Sequence, residues 1–109
     1  MATTYKVLGQ SNPSATTATA LYTVPSSTST IVSTITICNQ SSTAGSFRIA
    51  VRPAGATLAA THYVAYDVPI AANDTTALTL GITLATTDVI TVYASSSTIS
   101  FSAFGSEIS

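Results

Sequence analysis

The chain has little charge. Three Lys or Arg and four Asp or Glu stand among its 109 residues, 6% in all, against roughly 25% in ordinary soluble domains. Counterion release from nucleic acid needs clustered cations, and Lys6, Arg48 and Arg52 are too few to supply it. A nucleic-acid partner is therefore not expected. Cysteine is almost as scarce: Cys38 stands alone, so no intrachain disulfide can form and stability must come from burial. Its place in Ile35-Thr36-Ile37-Cys38 predicts a small buried hydrophobe. Long apolar runs are also missing, and Met1 to Lys6 has no basic region followed by an apolar stretch. The expectation is a chain that neither spans a membrane nor carries a signal peptide.

Residues that carry chemistry are equally sparse. His62 is the only imidazole, so a hydrolytic triad would have to recruit it with Cys38 or one of the serines, and no G-x-S-x-G surrounds any serine. Transition metals want several Cys or His ligands and calcium wants clustered oxygens, whereas Asp67, Asp74, Asp88 and Glu107 are dispersed. Asp74 and Asp88 fall in turns, where Asp commonly caps the local backbone. No catalytic residue, metal ligand or cofactor is expected. The triplets Asn39-Gln40-Ser41 and Asn73-Asp74-Thr75 match the glycosylation pattern, and both read as accidents of Ser/Thr richness.

What fills the chain is hydroxyl: 21 Thr and 16 Ser, about a third of all residues. With Val, Ile and Tyr these favour strands, and no ten-residue window carries a helical stripe. In Phe47-Arg48-Ile49-Ala50-Val51-Arg52 the apolar residues alternate with Arg48, Ala50 and Arg52, which predicts one core face and one outward face bearing both arginines. Tyr5 to Leu8, Ala20 to Val24, Thr30 to Ile37, His62 to Val68, Leu78-Leu80-Ile82-Leu84, Ile90-Val92 and Ile99-Phe101-Ala103 read similarly. Turn signals separate them at Asn12-Pro13, Pro25-Ser26-Ser27, residues 39 to 45, Pro53-Ala54-Gly55, Ala72-Asn73-Asp74, Thr87-Asp88 and Ser95-Ser96-Ser97.

About eight short strands at this spacing predict one all-β domain over residues 1 to 109, an antiparallel two-layer sandwich of jelly-roll or immunoglobulin-like topology. The expected core holds Ile35, Ile37, Phe47, Ile49, Val51, Leu78, Leu80, Ile90, Val92, Ile99 and Phe101. Residues 10 to 20 are polar and small, which predicts a loop or an N-terminal arm able to add a strand to a neighbour. Pro53 should close its strand.

A near-neutral surface gives little repulsion between copies, so self-association is expected. Arg48 and Arg52, on one strand face, are candidate interface anchors, because Arg forks onto carboxylates and carbonyls. Tyr63 and Tyr66 join them as candidate contact residues. The five tyrosines could also build a carbohydrate platform, but no cluster of them stands out in the sequence and Trp is absent.

The runs Leu21-Tyr22-Thr23-Val24-Pro25, Phe47 to Gly55, Asn73 to Gly81 and Val92 to Ser95 with Phe101 to Ile108 are similar to small β-sandwich virion proteins of tailed bacteriophages, cyanophages among them. The resemblance covers nearly the whole chain. It implies a non-enzymatic capsid cement protein, a homo-oligomer such as a trimer, bound to the major capsid protein on the outer surface of the virion and made in the host cytoplasm. Tail, neck or fibre component is the alternative it implies, and a carbohydrate-binding module is a third.

Overall fold

In the computed structural model, which describes residues 2–79 and 81–109, the chain forms strands β1 (Thr3–Ser11), β2 (Thr19–Thr23), β3 (Ser29–Asn39), β4 (Gly45–Arg52), β5 (Tyr63–Ile70), β6 (Thr75–Leu78), β7 (Ile82–Leu84), β8 (Val89–Ala94) and β9 (Ile99–Ile108). One sheet runs β1-β9-β3 with β6 and β7 both along the far side of β3, and the other runs β2-β8-β4-β5. All pairings are antiparallel. Strand β1 pairs with β9, β2 with β8, β3 with β6 and β7, and β4 with β5, which are the pairs of one long hairpin. Rolled into two layers, that hairpin is a jelly roll. The strand order thus chooses between the two topologies that alternation left open.

Nine strands appear where about eight were expected because the stretch from Leu78 to Leu84 is broken. Gly81 sits at φ 62° between β6 and β7, a conformation that costs glycine little. Both pieces still lie along β3, with Leu78 opposite Ile35 and Ile82 opposite Val32.

Ile35, Ile37, Phe47, Ile49, Ile90, Val92, Ile99 and Phe101 are buried as expected, and Phe47 meets Phe101 edge to face at 6.2 Å. Val51 and Leu78 are only half-buried at the margin of the core, and Leu80 lies outside the described residues. Leu8, Leu21, Val24, Val32, Ile70 and Leu84 complete the interior. Cys38 is a correction: it is half-buried, because the inward positions of its strand are Ile35, Ile37 and Asn39.

Phase changes along β3 at a bulge. Thr30 and Val32 face inward before it and Ile35, Ile37 and Asn39 after it, since Ser33 is the extra residue between Val32 and Thr34. The Ser33 hydroxyl donates to the Phe104 carbonyl at 3.0 Å. Opposite lies Gly105, where any Cβ would collide with the Ile31 carbonyl oxygen.

The predicted turns fall between strands, and Pro53 ends β4 by opening a 3₁₀ turn over Pro53–Gly55. The predicted arm is shorter than expected: Gln10 and Ser11 extend β1, Thr19 and Ala20 belong to β2, and the Thr16 N–H between them bonds the Ala94 carbonyl at 2.8 Å. His62 is another correction. It closes the 3₁₀ turn Ala60–His62, and β5 begins only at Tyr63.

Candidate functional site

The outer face of the β2-β8-β4-β5 sheet brings Arg48 and Asp67 together with Tyr63, Tyr66 and Tyr93. Strand β5 carries two irregularities, one between the pairs Phe47–Val68 and Ile49–Ala65 and one before Ala50–Tyr63. At the first, Tyr66 and Asp67 together oppose Arg48. Asp67 supplies the required turn at φ 49°, which Asp tolerates better than most residues. Arg48 Nε donates to Asp67 Oδ1 at 2.6 Å and Nη2 to Oδ2 at 3.4 Å. The guanidinium carbon lies 4.2 Å from the ring centroids of both Tyr66 and Tyr93, within cation–π range. Tyr93 is there because it stands directly opposite Arg48 on β8. The hydrogen bond to Asp67 holds the guanidinium proton more tightly than usual.

Tyr63 meets Tyr66 edge to face, with centroids 4.9 Å apart. Beside them Leu58, Ala59 and Ala60 close a shallow cleft of about 590 Å³. Tyr66 remains 56% exposed and the Asp67 side chain 49%.

Arg52 stands apart from this cluster. Its Nε donates to the Thr91 hydroxyl at 3.0 Å, and Nη1 donates to the carbonyls of Ala56 at 3.1 Å and Gly55 at 3.5 Å. It holds the segment after β4 against the sheet. Asp88 secures the same segment by accepting the Ala54 N–H at 2.8 Å, while its other oxygen accepts the Ala85 N–H at 2.9 Å. The turn Ala60–His62 packs on β4, and Ala50, expected on an outward face, is only 1% exposed.

The opposite sheet presents a different outer face. Tyr5, at 84% exposure, Val7 and Ile31 are open to solvent and border a shallow depression with Ser33 and Phe104. Register explains the grouping: Tyr5 and Ile31 both flank Ser106, and Val7 pairs with Phe104. Residue type alone does not mark this strip; its one trace in the sequence is the pair of adjacent apolar residues Ile31-Val32, which cannot both face the core.

Between the sheets, the edges of β1 and β2 are joined by a polar chain. Tyr22 is buried and its hydroxyl bonds both Thr30 Oγ1, at 2.8 Å, and Glu107, which also accepts from Lys6 at 3.3 Å. Burial, then the bond to Glu107, pushes the Tyr22 hydroxyl up to about 12. The Tyr22 bond and Lys6 hold the Glu107 carboxyl below its usual range.

His62 Nδ1 accepts the Ala59 N–H at 3.1 Å, a local turn contact. Among the described residues no three His, Cys, Asp or Glu side chains gather where they could hold a metal ion. Asn39 is buried and fully bonded: Nδ2 donates to the carbonyls of Thr43 and Ala71, and Oδ1 accepts from the Ser41 N–H and the Thr98 hydroxyl. In this fold it cannot serve as a glycan acceptor, since both amide hydrogens are engaged. Comparison with family models, curated proteins and solved structures gives no match to this chain.

Proposed function

We propose that the protein is a non-enzymatic virion component of a tailed phage, a cement protein that binds the major capsid protein lattice from outside as a homo-oligomer, a trimer in the simplest arrangement. The observation that carries this reading is the outer face of the β1-β9-β3 sheet, where Tyr5, Val7 and Ile31 stay exposed around one depression, with Lys6 at its border. Apolar side chains grouped on a surface favour protein contact, and the neighbouring hydroxyls desolvate more cheaply than ions. The fold adds only analogy, since jelly rolls serve viral coats, lectins and cupins alike. Symmetry repeats one such contact over a shell, so modest contacts sum to a firm clamp. Arg48, with Tyr63 and Tyr66, offers a second contact on the other sheet.

Copy number in purified virions tests the proposal. Cement predicts on the order of hundreds of copies per particle, as lattice symmetry requires. A few to tens of copies would place the chain in a tail, neck or fibre and overturn the cement role.

A further inference from the structure

We infer that the corner formed by Tyr63, Tyr66 and the Arg48–Asp67 pair is a binding site for a neutral pyranose ring. Two aromatic rings set edge to face, with Leu58, Ala59 and Ala60 as the third wall, make an apolar recess, and the Arg48–Asp67 pair adjoins it through the guanidinium, 4.2 Å from the Tyr66 ring centroid. A pyranose has the complementary shape: a C–H face that is drawn to the negative face of an aromatic ring, and a rim of hydroxyls that both donate and accept. Asp67, half exposed and bound to Arg48 at 2.6 Å through one oxygen and 3.4 Å through the other, retains lone pairs for two sugar hydroxyls. Arg48 has two of its five N–H donors bonded within the described residues. The recess volume of about 590 Å³ falls in the roughly 300–1,000 Å³ range of small-molecule sites.

Two features select a neutral sugar over other occupants. The charges of Arg48 and Asp67 cancel at 2.6 Å, so the site has no net attraction for phosphate or for a carboxylate ligand. An added peptide strand would need a regular ladder along β5, and the two irregularities and Pro69 interrupt that edge. This inference is independent of the capsid reading, because the site is complete within one chain.

The test is titration of the ¹⁵N-labelled full chain with glucose, galactose, mannose, N-acetylglucosamine and their disaccharides. Saturable amide shifts centred on residues 58–60, 63, 66 and 67 are expected with at least one of these probes. Tyr66→Ala and Asp67→Asn, both at exposed positions, should each weaken that binding at least about tenfold, a change of about 1.4 kcal/mol, with the remaining amide spectrum unchanged. Absence of saturable shifts with every probe would overturn the inference. So would shifts centred elsewhere, affinity unchanged in both variants, or tighter binding of a proline-rich peptide at the same residues.

Discussion

The two outer faces of this jelly roll differ more than their sequences do. Both sheets alternate apolar with small or polar residues, yet the β1-β9-β3 sheet leaves Tyr5, Val7 and Ile31 in solvent. Residues 53–62 overlie part of the β2-β8-β4-β5 sheet, at β4 and β8, so that Ala50 and Thr91 are nearly as hidden as the core, while Val64 and Tyr66 on β5 stay exposed. Arg52 and Asp88 pin that covering segment. Alternation therefore tells which side of a strand meets the core, while the fate of the other side depends on where a loop from elsewhere comes to rest.

The largest effect is expected in the layer that both faces share. Phe47→Ala removes a fully buried ring in contact with Phe101 and should cost about 3–5 kcal/mol, much of the roughly 5–15 kcal/mol that holds a domain together. Chemical denaturation would show little folded protein remaining near room temperature.

A matched pair then separates the faces. Ala50→Asp places an unpaired charge beneath the covering segment and should cost about 3 kcal/mol or more, as uncompensated buried charges do. Thr36→Asp, at an outward and half-buried position of β3, should cost only about 1 kcal/mol. Equal denaturant midpoints for the two variants would mean that the covering segment opens freely.

A smaller effect sharpens how the two sheets are joined. Tyr22 ionises only near pH 12 in the fold against an ordinary value of 10.0, so the neutral hydroxyl is favoured by folding. Its contribution is complete below pH 10 and fades as pH rises from 10 towards 12. Glu107 behaves oppositely: its lowered value means that its contribution is present above the ordinary carboxylate range and is lost on acidification through the folded-state value. Denaturant midpoints measured across pH should fall at both ends. Tyr22→Phe should flatten the alkaline limb and Glu107→Gln the acid one.

The smallest expected change in stability is at Tyr5. Tyr5→Ser should alter folding free energy by no more than about 0.5 kcal/mol, as for most exposed sites. Its effect should instead be on association, with sedimentation showing less self-association and capsid pull-down less bound protein. Unchanged association would shift the contact surface to the Arg48 face.

The all-β class, the places of the turns and most of the inner layer are legible in the chain's residues alone. Those features rest on local chemistry: Asn73 and Thr87 lie at positive φ in turns read from composition, Pro53 ends its strand because it has no N–H to donate, and Phe47, Ile49 and Ile37 keep period-two spacing. The rest depends on how distant strands meet. One added residue at Ser33 reverses the inward phase of β3 and exposes Ile31, and one at the Tyr66-Asp67 pair sets two side chains against Arg48. Bulges of this kind depend on the partner strand, which composition does not reveal. Tyr93 reaches Arg48 across 45 residues of chain, and Ala50 is hidden by a segment that follows it. Such meetings are set by the order in which the hairpin rolls, because strand pairing at long range is fixed by the mutual fit of whole faces and not by any local pattern.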